Sequence, residues 1–138
     1  MKDNVSKSIQ PTDEPWGDLV VSMLSVNNWS LEKTYRFVDD LRTRGLFDPK
    51  TLACLEQDEI VVRLKKTGYD RGTYMTSLFA LRLTCLGHFV KEKGVDICTK
   101  GISVMDGKAI EQFLACVNGI GPKVIANFCI LRGIPTKG

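Results

Sequence analysis

Apolar residues recur along this chain at spacings of three and four, and no stretch sustains the alternation of a half-buried strand. The pattern predicts seven helices. Pro15, with Asp13 or Thr12 as cap, opens the first, where Trp16, Leu19, Val20, Met23 and Leu24 make the buried stripe. Asn27, Asn28 and Trp29 break it. Ser30 caps a second helix with Leu31, Tyr35, Val38 and Leu41 on its apolar face, and Gly45 ends it. Short helices follow Asp48-Pro49, with Leu52 and Leu55, and Asp58, with Ile60, Val61 and Leu64; Gly68 stops the second of these. A long helix is expected from about Asp70 to Lys93 with two apolar stripes. Tyr74, Leu78, Leu81 and Cys85 form one stripe; Phe79, Leu83, Leu86 and Val90 form the other. A helix apolar on two sides belongs at the centre. A loop from Gly94 to Met105 leads to a sixth helix, capped by Asp106 and running through Val117. The last runs from Pro122 to Arg132, ended by Gly133 and Pro135. The expectation is an all-α fold, a compact bundle of six or seven helices over residues 13–138 behind a loose polar segment, 1–12.

At 138 residues the chain fits one domain, which at this size buries roughly 68% of its unfolded surface. With 43% hydrophobic and 25% charged residues it is unlike a disordered or fibrous chain. No apolar run nears the ~18 residues of a membrane helix, so no membrane partner is expected. The opening MKDNVSKSIQ lacks the apolar stretch of a signal peptide. The net charge of +3 is unevenly spread: residues 1–69 hold 10 Lys and Arg against 11 Asp and Glu, residues 70–138 hold 9 against 5. An anionic partner should meet the second half first.

The five cysteines, Cys54, Cys85, Cys98, Cys116 and Cys129, form no C-x-x-C pair, and His88 is the sole histidine. That gives no structural zinc or iron–sulfur pattern, so no cofactor is expected. They read as reduced, packed thiols of an intracellular protein, in cytoplasm, nucleoid or nucleus. His88, without ligand-like neighbours, reads as structural.

One segment carries chemistry. Residues 114–126 read Leu-Ala-Cys-Val-Asn-Gly-Ile-Gly-Pro-Lys-Val-Ile-Ala: a helix end, two glycines around one apolar residue, then proline restarting a helix. Gly119 and Gly121 permit positive φ and leave room for close approach, and Ile120 pins the two helices. The amides after Pro122 are unpaired donors, suited to a phosphate oxygen, with the Lys123 cation beside them. Such a segment can hold a nucleic-acid backbone without reading sequence. The alternative is a tight turn in an αα-hairpin.

The string at 117–123 resembles the helix-hairpin-helix element that ends in Gly-hydrophobic-Gly and binds DNA non-specifically. By that resemblance, carbonyls near Ala115, Val117 and Ile120 are placed to hold a monovalent cation bridging to phosphate. The order of elements over residues 14–135 is similar to the helix-hairpin-helix superfamily of base-excision DNA glycosylases, the endonuclease III and 8-oxoguanine glycosylase kind. Trp16-Gly17-Asp18-Leu19 through Met23-Leu24-Ser25-Val26-Asn27-Asn28 resembles the early helix that ends in a Ser-x-Gln or Ser-x-Asn segment facing DNA. Thr67-Gly68-Tyr69-Asp70-Arg71 resembles the family's Gly-aromatic loop.

The resemblance implies double-stranded, damaged DNA as partner and gives these residues roles. Asn27, with Asn28 beside it, would plug the gap left by an extruded base; otherwise the pair merely ends a helix. Tyr69 would stack or wedge, or else be a surface tyrosine packed on the next helix. Arg71 and Lys65-Lys66 would touch phosphate or form a solvated face. Asn118, Gly119, Ile120, Gly121, Pro122 and Lys123 would hold the backbone. In bifunctional members a lysine at the Lys123 position attacks the sugar C1′ and forms a Schiff base, which needs a deprotonated amine. The alternative is a protonated, phosphate-binding lysine.

Three departures bear on catalysis. The family's catalytic aspartate, in a Val-Asp-Thr/Val-like segment beyond the hairpin, has no counterpart before Gly138. Its C-terminal helices and four-cysteine cluster are likewise without counterparts. Ala126 stands one residue later than the family's small residue after the lysine. Asp70, Asp96 and Asp106 lack the aspartate's sequence context. Two functions follow: a glycosylase core with Lys123 as nucleophile, a partner chain supplying the missing half of its site, or a non-catalytic DNA-binding module. A third, a helical protein–protein module, would use the hairpin only as a turn.

Overall fold

Most helices in this chain start where a side chain or a proline removes the problem of the first unpaired amides, those beginning at Val38 and Thr73 being exceptions. The computed structural model describes residues 14–102 and 106–134, and every regular element among them is helical. In chain order these are α1 (Pro15–Leu24), α2 (Leu31–Tyr35), α3 (Val38–Thr43), α4 (Pro49–Cys54), α5 (Gln57–Thr67), α6 (Thr73–Lys93), α7 (Val95–Ile102), α8 (Gly107–Phe113) and α9 (Pro122–Arg132). Ser30 accepts the Lys33 amide at 3.1 Å, Asp48 that of Lys50 at 3.2 Å and Asp106 that of Ala109 at 2.9 Å. The Glu59 carboxylate accepts the Glu56 amide at 3.2 Å, so α5 starts slightly before Asp58. Glu14 occupies the cap position of α1, while Thr12, Asp13, the 1–12 segment, Met105 and Pro135 lie outside the described residues.

The all-α expectation holds, with nine helices among the described residues instead of seven. The second expected helix is two, because the chain tightens to three-residue bonds at Arg36 and Phe37, and the Phe37 ring tucks against Gly68. The expected loop after Gly94 is α7, which buries Cys98 and Ile102 at four-residue spacing. Gly94 and Gly101 hid that short pattern. The Trp16 indole donates to the Cys98 carbonyl at 3.2 Å, fastening α7 to α1.

α6 is the central helix, packed on α4 and α5 and touching α1 and α7. It is buried through one stripe, however: Thr76, Phe79, Ala80, Leu83, Leu86, Gly87 and Val90. Of the other expected stripe, Tyr74 is 75% and Leu81 40% exposed, and Leu78 and Cys85 are half-buried. The neighbouring helices cover one side of α6 closely enough to leave the other to solvent. At the tightest point a Cβ on Gly87 would lie 2.4 Å from the Leu52 carbonyl oxygen of α4.

α9 packs chiefly on α1. Between them the Asp18 carboxylate, fully buried, receives the Arg132 guanidinium at 3.0 Å. Among the described residues no helix is long and apolar enough to cross a membrane.

Gly87→Ala should lower stability by about 2 kcal/mol, since backbone rather than a flexible side chain must move. Urea unfolding measures it; an unchanged midpoint would mean that α4 and α6 are not in this contact.

Candidate functional site

The last turn of an α-helix leaves carbonyls without partners, and at the end of α1 other elements supply them. Asn127 of α9 donates to the Ser22 and Ser25 carbonyls at 3.3 and 3.0 Å. The Tyr69 hydroxyl donates to Leu24 at 2.7 Å, and Arg71 donates to Val26 at 3.0 Å and Asn27 at 2.6 Å. Held this way, Asn27 and Asn28 both take the left-handed conformation, φ 60° and 66°, with their side chains exposed. Asparagine tolerates that region better than other side chains with a Cβ. The Trp29 ring, with Arg71 4.8 Å and Lys33 5.2 Å from its centre, closes the turn.

Two sequence expectations change here. Tyr69 is neither a wedge at a loop tip nor a surface tyrosine: it is fully buried, edge-on to Trp29 and Phe79. Burial pushes its hydroxyl up to about 12, against a smaller downward pull from Arg71. The Arg71 fork is engaged by carbonyls, so its role is to hold the Asn27 turn. The aromatic at this position had a core pocket to fill, which its flanking glycine and charges did not reveal.

The glycine segment departs in detail from the expected hairpin. α8 ends at Phe113, one turn before Val117, and the chain continues through three-residue bonds from Val117 to Leu114 and from Ile120 to Val117. Gly119 has φ +98°, and a Cβ there would meet the stem of Arg82 at 2.7 Å. Gly121 is extended, φ −114° and ψ −167°, so it makes no use of positive φ. Among the described residues a Cβ on Gly121 would meet nothing within 4 Å. Ile120 is half-buried against the core, as a pin should be. The first bond into α9 runs from the Ile125 amide to the Gly121 carbonyl at 3.1 Å, so the Lys123 and Val124 amides precede it. Asn118, Gly121, Pro122 and Lys123 are exposed. The Val117 carbonyl, expected with those of Ala115 and Ile120 at a cation, accepts the Ile120 amide at 3.3 Å.

Both turns meet in one open groove of about 610 Å³. Val26 and Asn27 form one wall, residues 115–124 the other, and Arg82 of α6 lies between. Among the described residues its lining holds two cations, Lys123 and Arg82, and no carboxylate. Asn28 is exposed in the same turn as Asn27 without lining the groove. Lys65 and Lys66 are exposed in the last turn of α5, where cations suit the helix dipole. Lys66 lines a separate depression of about 550 Å³ that mixes Arg44 and Arg63 with Asp58 and Glu59. Arg82 was missed because it lies among apolar residues on α6, and only the fold brings it to the hairpin.

The cysteines divide. Cys98 and Cys129 are buried, which pushes both thiols up, whereas Cys54 and Cys116 are exposed and not packed as expected. His88 is exposed. Among the described residues no group of three or more His, Cys, Asp or Glu side chains is placed to hold a metal. No protein-family model, curated protein or solved structure matches the chain.

The glycines should separate by substitution. Gly119→Ala should cost about 1–2 kcal/mol for the left-handed backbone, before any shift of Arg82. Gly121→Ala should stay within about 0.5 kcal/mol of the parent. Urea unfolding of both variants measures this, and equal losses would contradict the conformations described.

Tyr35, also pushed up to about 12 by burial with Asp18 adding to it, joins Tyr69 in setting an alkaline limit. Below the ordinary tyrosine value of 10 both states keep these protons. As pH rises from 10 toward about 12 the unfolded chain loses protons that the folded one retains, so stability should fall. Urea unfolding at stepped pH follows this; a flat profile across that window would remove both tyrosines from the core.

Proposed function

We propose that this chain binds the sugar–phosphate backbone of double-stranded DNA in the groove between the Asn27 turn and the glycine segment. The observation that carries the reading is the convergence of the start of α9, the exposed Lys123 and Arg82 on one open groove whose lining, among the described residues, has no acid. Phosphate favours such a place for two reasons: the first amides of a helix have no partner within it, and the helix dipole is positive at that end. Gly121 supports it from the other side, since nothing among the described residues requires a glycine there while an approaching strand would. The reading places the protein inside the cell, with DNA.

Lys123→Ala should weaken duplex binding about equally across sequences and lower the log–log salt slope by about 1. Fluorescence anisotropy of a labelled duplex at several salt concentrations tests it. An unchanged slope takes Lys123 out of the interface.

One observation favours a second reading, base excision: Asn27 and Lys123 line the same groove, as plug and nucleophile would have to. The neutral Lys123 amine would form a bond to the sugar C1′ as the bond to the base breaks, and the base would leave with the electron pair and take a proton. The groove's lining offers no carboxylate to assist, so that group would come from a partner chain. Borohydride trapping on DNA with a damaged base or abasic site separates the readings. An adduct lost in Lys123→Ala selects the enzyme, and salt-sensitive binding without an adduct selects the module.

A further inference from the structure

The groove owes half of its positive charge to a residue on the central helix. The Arg82 stem lies against Gly119, whose missing Cβ leaves the room, and its guanidinium carbon sits 5.1 Å from the centre of the Phe79 ring. The Arg71 guanidinium lies 5.0 Å from that ring, so the two cations are within about 10 Å, roughly one Debye length. Arg71 is engaged by the carbonyls of Val26 and Asn27. Among the described residues Arg82 has neither an ion pair nor a hydrogen bond. Arg82 thus carries an un-neutralised guanidinium, its stem seated on Gly119, into the lining of a groove that holds no acid among the described residues. The donor fork of a guanidinium matches the oxygens of a phosphate.

We propose that Arg82 is a phosphate-binding residue of this groove, taking the backbone phosphate that neighbours the one at exposed Lys123. The inference rests on the backbone-binding reading above. It assigns to Arg82 the part that the sequence resemblance gave to Arg71.

The test is anisotropy titration of a labelled duplex over a range of salt with the parent chain, Arg82→Met and Arg82→Lys. Met keeps a stem over Gly119 and removes the charge. Arg82→Met should bind about tenfold more weakly, as for one lost charge-assisted contact. Its salt slope should be shallower by about 0.9. Arg82→Lys should keep the parent slope and fall between the two in affinity. Arg82→Met with parental affinity and slope overturns the inference, as does weaker binding at an unchanged slope, which would make Arg82 a packing residue. If Arg82→Met does not fold, Arg82→Lys decides: weaker binding at the parent slope supports the inference, and parental affinity overturns it. A parent chain that does not bind duplex brings down the backbone-binding reading itself.

Discussion

The carbonyl groups at the end of α1 are the point on which the arrangement turns. Left unpaired beneath other helices they would cost the full desolvation of buried polar groups, so their partners are under strong constraint. Those partners come from well-separated parts of the chain: Tyr69 and Arg71 follow α5 near its middle, and Asn127 lies in α9 near its end. One set of hydrogen bonds therefore fixes the direction in which α1 stops, the conformation of Asn27 and Asn28, and the docking of α9 on α1. Because α9 begins at the glycine segment, the same bonds set the distance between that segment and the Asn27 turn.

Charge supports this joint in two ways. The Asp18–Arg132 pair ties the first part of α1 to the last turn of α9, while Asn127, midway along α9, holds the end of α1. A pair of this kind adds little net stability over an apolar contact, but losing one partner leaves a stranded charge, which penalises other packings. At the other end the cations Arg82 and Lys123 line the groove and have no acid across from them. α9 thus carries one member of a neutralised pair inside, Arg132, and at its start one of two un-neutralised cations, Lys123, the other coming from α6.

The glycine segment divides its labour along similar lines. Gly119 answers an internal need, a left-handed turn and space for the Arg82 stem. Gly121 answers none that the described residues impose. A residue pair that reads alike in sequence thus separates into a folding glycine and a surface glycine.

Helix content, most caps and the glycine segment were legible in the residues, because each is a local matter. Ser30, Asp48 and Asp106 bond amides two or three positions away, and Pro122 needs only its own ring to begin α9. What the linear pattern did not hold was which apolar stripe of α6 is covered, that Tyr69 is buried, that Arg71 faces carbonyls, and that Arg82 reaches the groove. Each of those depends on a neighbour far away in the chain: the approach of Leu52 to Gly87, the Leu24 carbonyl under Tyr69, the seat of Gly119 on Arg82. Local bonding chose the helices. Burial and the pairing of stranded carbonyls, which are settled only when all helices are in place, chose the faces they present.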